Sequence, residues 1–440
     1  MMKLRTATLG CKVNQYETEY VREALQRIGY AGARPGEAAD LIVVNTCTVT
    51  AESDLKSRKL IRKLARLNPD AEIVVMGCYA THAADEIRRW PQVGPQIVEV
   101  VTDKREIGTF LQRRGVVDLP DGITTFGMRH RAYVKIQDGC RAGCAYCIIP
   151  KVRPYLLSRP AEEVLDEIRC LVDSGYREIV LTGIHLGHYG LDFPRHNDID
   201  LSEHRKLQAG NTRLTQLAER ILEIDLPFRL RLSSMEAVEV TDELIGLAKA
   251  FPKKLCPHFH LSMQSGSDTV LRRMRRRWLS APFYEKCKTI SDTLDRAALT
   301  TDIIVGFPGE TDDEFAETCE LVGRVGFSKV HAFPFSPRQG TAAATMPDQI
   351  PAPEKERRAA HLTQLAGKLR ADYALSLVGK KTQVLFEAAV KGRLVGTSER
   401  YLRVETEATQ EFAGKLIGQL VDVDVTAADG DLLICSIPTL

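Results

Sequence analysis

The sequence has no long hydrophobic run and no large excess of either charge. No stretch of the 440 residues approaches the roughly 20 apolar residues of a membrane-spanning helix, and the first residues lack the apolar core of a signal peptide. The formal net charge is +2, so the total charge favours no class of partner. No internal repeat or low-complexity tract is present. We therefore expect a cytoplasmic protein of two or three globular domains that does not bind a membrane.

The chain contains eleven cysteines, an odd number, and a reducing cytoplasm favours metal ligation or catalysis over disulfides. Cys140, Cys144 and Cys147 follow an apolar run and Gly139, a residue that permits a tight turn. Three thiolates with this spacing can hold three irons of a [4Fe–4S] cluster and leave one iron open. A zinc site is the alternative, but zinc sites usually pair two cysteine hooks, and no second hook follows nearby. The spacing is similar to that of radical S-adenosylmethionine enzymes, which cleave this cofactor to a carbon radical.

Three further cysteines occupy equivalent positions in the first 115 residues. Apolar runs and amphipathic segments alternate there, which predicts βαβ units and a parallel sheet. Cys11, Cys47 and Cys78 each follow the end of an apolar strand. Because the carboxyl ends of parallel strands line one crevice, these cysteines can converge on one point. Each could instead be a buried small hydrophobe, but the shared placement favours a second three-cysteine cluster.

The strand and helix patterns continue from Thr125 to Met346. Six predicted strands, 131–137, 178–182, 229–233, 258–264, 301–305 and 329–335, are too few for an eight-stranded barrel and favour an open partial (βα)6 barrel. Residues 191–210 form a polar excursion, in which we expect His196 and His204 to be solvated. Prolines at 347–353 mark a boundary, after which a helix and short alternating runs predict a small β-barrel. The fold class is therefore α/β, with predicted domains at 1–120, 125–355 and 376–440.

The chain resembles the tRNA methylthiotransferases over nearly its whole length. Residues 9–18 (LGCKVNQYET) and 45–50 (NTCTVT) resemble the branch that acts on threonylcarbamoyladenosine, and residues 178–187, 264–268 and 302–310 resemble the family core. The resemblance implies an amino-terminal methylthiotransferase domain, a radical SAM core and a terminal TRAM domain. The open alternatives are the same chemistry on isopentenyladenosine or on a ribosomal protein, and a non-catalytic iron–sulfur RNA-binding protein.

The resemblance also implies cofactors, partners and a mechanism. Cys11, Cys47 and Cys78 would hold an auxiliary [4Fe–4S] cluster that carries the sulfur, and Cys140, Cys144 and Cys147 would hold the cluster that cleaves S-adenosylmethionine. The resulting radical would abstract the hydrogen at C2 of the adenine ring, which then receives the methylsulfide. The partners would be a tRNA substrate, an external electron donor and a sulfur source, and nothing demands a second protein chain.

Five other residues are candidates for S-adenosylmethionine contacts. Gly183 ends a predicted strand and could let the backbone approach the amino group of the cofactor. Ser234, Gln264 and Asp302 lie at or near other strand ends and could contact its sulfonium, ribose or carboxylate. Tyr146 could stack near its adenine. For each of these side chains, structural hydrogen bonding or packing is the alternative.

Three features bear on the RNA substrate. Five arginines between Arg272 and Arg277 could neutralise phosphates or could simply form a solvated face. Pro154 stands where the family usually has glycine, and since proline fixes φ and lacks an amide donor, a different local path is expected. Residues 379–440 contain seven Lys/Arg against nine Asp/Glu, so a terminal domain that binds tRNA must use a local basic face.

Overall fold

The computed structural model describes residues 1–91, 93–127, 129–193, 213–407 and 410–438. The two histidines predicted to be solvated, His196 and His204, lie outside these ranges. No helix within them is long and apolar enough to cross a membrane.

Among the described residues, the first sheet has five parallel strands in the order β2-β1-β3-β4-β5. They are β1 (Lys3–Thr8), β2 (Ala31–Gly32), β3 (Leu41–Thr46), β4 (Glu72–Gly77) and β5 (Ile97–Val100). The accompanying helices are α1 (Lys12–Arg27), α2 (Ala51–Leu67), α3 (Cys78–His82), α4 (Ala84–Arg88) and α5 (Ile107–Arg113). Every residue of β3 is buried, because the sheet packs a separate hydrophobic core on each face.

The described part of residues 131–334 forms a second set of six parallel strands. They are β6 (Arg131–Asp138), β8 (Glu178–Gly183), β9 (Arg229–Leu232), β10 (His258–His260), β11 (Ala298–Val305) and β12 (Lys329–Pro334), with β7 (Leu157–Ser158) antiparallel on the edge of β6. The strands β6-β8-β9 and β10-β11-β12 form two groups, which a parallel bridge between Met235 and Leu261 joins. The predicted open partial barrel is confirmed.

Helices surround this barrel and pack on its outer face. They are α6 (Ile149–Val152), α7 (Ala161–Asp173), α8 (Arg213–Leu222), α9 (Asp242–Ala250), α10 (Asp268–Arg273), α11 (Ser280–Thr293) and α12 (Asp312–Val325). One continuous apolar core joins helices α7–α12 to the strands, whereas α6 packs in a separate small cluster with Cys78. The predicted strand 258–264 is wrong in its second half, because regular pairing ends at His260 and Gln264 has a φ of +71°. This irregular backbone turns Gln264 toward the barrel mouth.

A long helix, α13 (Ala352–Ser376), leads to the terminal barrel. Within the described residues this barrel closes in the order β13-β14-β15-β17-β16. Its elements are β13 (Lys381–Val390), β14 (Arg393–Ser398), β15 (Arg403–Glu407), α14 (Gln410–Leu416), β16 (Leu420–Asp429) and β17 (Leu432–Ser436). The predicted small β-barrel is confirmed, and it fits the TRAM domain that the resemblance implied. The sequence did not predict β14, since its segment RLVGTS lacks a continuous apolar alternation.

Two buried arginines attach the terminal barrel to the central one. Arg229 and Arg231 both bond Glu178, which is fully buried at the start of β8. Arg229 also donates to the carbonyls of residues 383 and 397, and Arg231 donates to those of residues 398 and 399. Burial opposes ionisation of Glu178, but Arg231 and Arg229 outweigh it and lower the pKa of this carboxyl. The attachment of the terminal barrel to the central one therefore depends on the charged and fully buried carboxylate of Glu178.

Candidate functional site

The CxxxCxxC loop follows β6 at the mouth of the partial barrel. Gly139 starts it with a φ of +76°, and a Cβ at this position would lie 1.9 Å from the carbonyl oxygen of Tyr155. Glycine is therefore required both by conformation and by space. Within the loop the amide of Cys147 donates to the carbonyl of Cys144 at 3.1 Å, and the amide of Ala142 lies 3.3 Å from Cys140 Sγ. These bonds curl the loop so that its three thiols lie on one side.

The other three cysteines meet at the carboxyl edge of the first sheet. Cys47 and Cys78 directly follow β3 and β4, and Cys11 comes three residues after β1; these strands are neighbours in the sheet. A Cβ on Gly10 would lie 3.0 Å from Cys47 Cβ, and Cys78 is close enough to act electrostatically on both other thiols. Cys11 occupies the N-cap position of α1, where its side chain makes no capping hydrogen bond. The structure thus brings together three cysteines that are distant in sequence.

Arg153 links the two cysteine clusters. The short helix α6, which follows Cys147, packs Ile148 and Val152 against Cys78. Directly after it, Arg153 Nε donates to Cys78 Sγ at 3.3 Å. The same guanidinium bonds Glu17 at 2.8 and 2.9 Å and Asp138 at 2.7 and 2.8 Å. Arg153 is 3% exposed, so its positive charge is balanced by Glu17 and Asp138 and not by solvent.

Charged side chains also contact the sulfur atoms of the CxxxCxxC loop. His185 Nδ1 lies 3.4 Å from Cys140 Sγ, and its Nε2 lies 2.5 Å from Glu239 Oε1. Burial disfavours a charged ring here, but Glu239 and Cys140 outweigh it and raise the pKa of His185. Arg276 Nη1 donates to Cys144 Sγ at 3.4 Å. The loop is thus surrounded by donors that favour negative charge on sulfur.

The arginine series before Trp278 is therefore not one surface patch. Arg276 faces inward, pairs with Glu236 at 3.0 Å and has a side chain that is only 5% exposed. Arg273 pairs with Glu314 at 2.6 Å. Arg272 and Arg275 are exposed, so phosphate contact is available to part of the series only.

The donor sets fit iron–sulfur clusters. Each set consists of three thiols, and soft thiolate ligands select such clusters over hard cations. Burial raises the pKa of Cys47 and raises that of Cys147 to about 12, and since metal-bound cysteines are thiolates, cluster binding at these residues would release protons. The remaining cysteines lie elsewhere and form no third set in the described chain: Cys170, Cys256, Cys287, Cys319 and Cys435.

Most of the predicted cofactor-contact residues lie beside this loop. Tyr146, Gln264 and Asp302 line a cavity of about 260 Å³ together with Cys147. Ser234 is exposed on a neighbouring cavity that also includes Asp302, and its hydroxyl lies 3.2 Å from that of Ser262. Gly183 ends β8, where a Cβ would lie 3.1 Å from Gln137 Oε1. Three of the five candidates therefore share a cavity with a cysteine of the loop, although Asp302 lies within β11 and not at its end.

Sequence reasoning missed four side chains that contact or support the thiols: Arg153, His185, Glu239 and Arg276. His185 lies inside a family-like segment, TGIHLG, where a local signal existed. Arg153 also lies in a family-like segment, directly before Pro154, but its partner Glu17 is 136 positions away, so this contact could not be predicted from the sequence.

The fold and the site together define a radical S-adenosylmethionine enzyme with a second cysteine triad. Residues 134–322 match the family model described as the Radical SAM superfamily, and residues 3–98 match the one described as uncharacterized protein family UPF0004. A structure of the radical S-adenosylmethionine methyltransferase TsrM from Kitasatospora setae, with cobalamin and a [4Fe–4S] cluster bound, shares the fold with a TM-score of 0.51. That likeness has 14% identity and covers 78% of this chain and 77% of that one.

Curated relatives identify the family within this class. The chain is 38% identical over 430 residues to threonylcarbamoyladenosine tRNA methylthiotransferase MtaB of Bacillus subtilis strain 168, covering 93% of this chain and 91% of the relative. It is 33% identical over 457 residues to tRNA-2-methylthio-N(6)-dimethylallyladenosine synthase of Corynebacterium urealyticum, covering 98% and 81%. The chain belongs to the tRNA methylthiotransferase family of radical SAM enzymes, which confirms the resemblance and the use of S-adenosylmethionine and [4Fe–4S] clusters.

Proposed function

We propose that this enzyme converts N6-threonylcarbamoyladenosine, next to the anticodon of tRNA, into its 2-methylthio derivative. The observation that carries the proposal is the 38% identity, over nearly the whole chain, to a relative named for this reaction. The relative named for the dimethylallyl substrate is 33% identical, which makes that reaction the second candidate. Two three-thiol sets at adjoining edges of the fold support either version of the chemistry.

The two cysteine triads have separate roles in this proposal. Cys140, Cys144 and Cys147 hold the cluster for cofactor cleavage, and Cys11, Cys47 and Cys78 hold the auxiliary cluster. When bound, these groups supply an electron for the reductive cleavage of S-adenosylmethionine and a sulfur atom for insertion at C2 of adenine. The protein orients and shields this chemistry.

The other site residues position the cofactor and the thiols. In this proposal S-adenosylmethionine is contacted by Tyr146, Gly183, Ser234, Gln264 and Asp302. The cavity beside Cys147 supports the contacts of Tyr146, Gln264 and Asp302. Arg153 and the pair formed by His185 and Glu239 hold the sulfur atoms through hydrogen bonds.

The proposal includes the domain roles, the partners and the location. Residues 1–120 form the auxiliary-cluster domain, 125–355 the radical SAM core and 376–440 the TRAM barrel. This division is supported by family matches over 3–98 and 134–322 and by the barrel that starts at Lys381. The enzyme acts as a cytoplasmic monomer on tRNA and draws on an external electron donor and sulfur source.

Nucleoside mass spectrometry tests the proposal. The chain is expressed in a bacterial strain that lacks its own threonylcarbamoyladenosine methylthiotransferase, and total tRNA is digested to nucleosides. We expect the 2-methylthio form of threonylcarbamoyladenosine. A 2-methylthio product on isopentenyladenosine would move the enzyme to the second candidate. No new methylthio nucleoside from a folded, cluster-loaded enzyme would favour a ribosomal-protein substrate or RNA binding without catalysis.

Cysteine variants test the ligand assignment in the same strain. We expect a triple Cys140, Cys144 and Cys147 to Ala variant to lose the product and about four of about eight irons per chain. Cys170→Ser, on a half-buried thiol of α7, is the matched control and retains both. Product formation by the triple variant would contradict the radical mechanism.

A further inference from the structure

A second, larger cavity is lined mainly by residues of the partial-barrel strands. Its volume is about 580 Å³, within the range of roughly 300–1,000 Å³ that small-molecule sites occupy. Gly10 and Lys12, on either side of Cys11, form one part of its wall, and Tyr401 from the terminal barrel forms another. The cavity shares Asp302 and Phe333 with the cavity beside Cys147. A group bound here would therefore lie near Cys11 of one triad and beside the cavity that contains Cys147 of the other.

Two buried polar atoms of this cavity have no hydrogen-bond partner in the part of the chain that the structure describes. They are Ser233 Oγ and His258 Nδ1, on residues that are 7% and 6% exposed. Both residues line the cavity. Buried polar atoms are almost always bonded in native proteins, so an unpartnered pair in one cavity indicates a polar ligand. A hydroxyl and an imidazole nitrogen suit a neutral group with both donors and acceptors.

The charged side chains that line the same cavity are mainly cationic. Among the described residues, Asp302 is its single acidic side chain, and this carboxylate lies 3.2 Å from His260 Nε2. Lys12 and Lys329 line the cavity from α1 and β12. Burial lowers the pKa of Lys329, so this amine is already partly removed from water. Arg131 and Arg231 also border the cavity, but the buried Glu178 and the partly exposed Glu387 compensate them. The lysines thus leave a surplus of positive charge for a ligand.

We propose that this cavity binds the N6-threonylcarbamoyl group of the substrate nucleoside, with its carboxylate on Lys12 and Lys329 and its hydroxyl and carbamoyl groups on Ser233 and His258. This inference rests on the proposed function and adds the residues that select the substrate. The threonylcarbamoyl group supplies the anion and the neutral polar atoms that the cavity lacks. A dimethylallyl group is apolar, and it would leave two buried polar atoms and two lysines unpaired, which is a strong basis for rejection.

A binding comparison with two RNA ligands tests this assignment. One ligand is an anticodon stem–loop that carries threonylcarbamoyladenosine, and the other carries the carboxamide in place of its carboxylate. Fluorescence anisotropy gives the Kd of each for the cluster-loaded, full-length enzyme. We expect wild type to bind the carboxylate ligand about ten- to a hundred-fold more tightly, as a charge-assisted contact provides.

Lysine variants identify the residues responsible. We expect Lys329→Met and Lys12→Met each to reduce this preference at least threefold while the carboxamide ligand binds as before. Lys249→Met, on the exposed face of α9, is the control and keeps the wild-type preference. Equal binding of both ligands by wild type, or an unchanged preference in both lysine variants, would overturn the assignment.

Product formation and ligand preference together distinguish a wrong assignment of the cavity from a wrong assignment of the reaction. Product on the carboxylate stem–loop with wild-type enzyme, together with unchanged preference in both variants, overturns the pocket alone. The absence of 2-methylthio product on that stem–loop with the loaded wild-type enzyme overturns the proposed function.

Discussion

Replacing Arg153 by methionine tests whether the two cysteine clusters depend on one buried cation. The guanidinium joins α6, which follows the CxxxCxxC loop, to Glu17 of α1 and to the thiol of Cys78. Methionine retains much of the side-chain volume and removes the charge. The variant thus leaves Glu17 and Asp138 to share the single amine of Lys135.

The magnitude follows from the burial of the partners. Glu17 is 3% exposed and Asp138 is 4% exposed, so water cannot replace the lost hydrogen bonds. Removing one partner of a buried ion pair typically costs about 3–5 kcal/mol. With a urea m-value of about 2 kcal/mol/M, the unfolding midpoint should fall by about 1.5–2.5 M. Because a charge imbalance causes the loss, neutralising the carboxylates should restore much of it.

Tryptophan fluorescence during urea unfolding of the cluster-free chain measures this effect. The chain has two tryptophans, and a Trp278→Phe background leaves Trp90, which lies in the core of the first sheet. Arg153→Met should lower the midpoint reported by Trp90. The Glu17→Gln variant of Arg153→Met should recover part of the loss.

The matched control is Arg105→Met, which breaks an exposed pair with Asp103 nearby and should cost less than about 1 kcal/mol. A midpoint for Arg153→Met equal to that of this control would refute the reasoning, because the buried cation would then contribute no more than a surface ion pair.

Three further predictions follow from single features of the fold. Gly139→Ala should lower the iron content after reconstitution from about eight to about four per chain, whereas Gly143→Ala, in the same loop with no atom near its added Cβ, should retain it. Because the pKa of Glu178 is lowered in the folded chain, its charge stabilises the fold above the unfolded-state pKa of about 4.3, and this stability is lost as the pH falls. In calorimetry, the Tm of Glu178→Gln should therefore decline less than that of the wild type between about pH 4.5 and pH 3. Parallel declines of the two proteins would contradict this. Reversing the exposed Arg272 and Arg275 to Glu should weaken tRNA binding and reduce the log–log salt slope by about 2, one per lost phosphate contact, and an unchanged slope would exclude them as contacts.

The sequence predicted the parts of the fold that apolar periodicity controls. The strands β6, β8, β9 and β12 end within one residue of their predicted positions, because each has a strong local pattern. The strand β14 and the irregular segment at Gln264 were missed or misplaced, since turns and barrel edges depend on pairing with distant strands. The local apolar pattern therefore predicted the order of strands and helices, whereas pairing between distant strands determines where individual strands begin and end.

The two thiol sets differ in how much of them the sequence could reveal. Cys140, Cys144 and Cys147 are close in the chain, so their spacing alone predicts a shared site. Cys11, Cys47 and Cys78 could be grouped only because a parallel sheet brings the ends of successive strands to one edge, which is a statement about topology.

Arg153 marks the limit of that reasoning. Its guanidinium reaches Cys78 across 75 residues and Glu17 across 136, and no periodicity connects these positions. It follows Cys147 by six residues and so moves with the loop that holds the first triad, while its bonds end on the second. The relative placement of the two triads therefore depends on a buried, charged side chain as well as on the backbone, and is a property of the assembled fold.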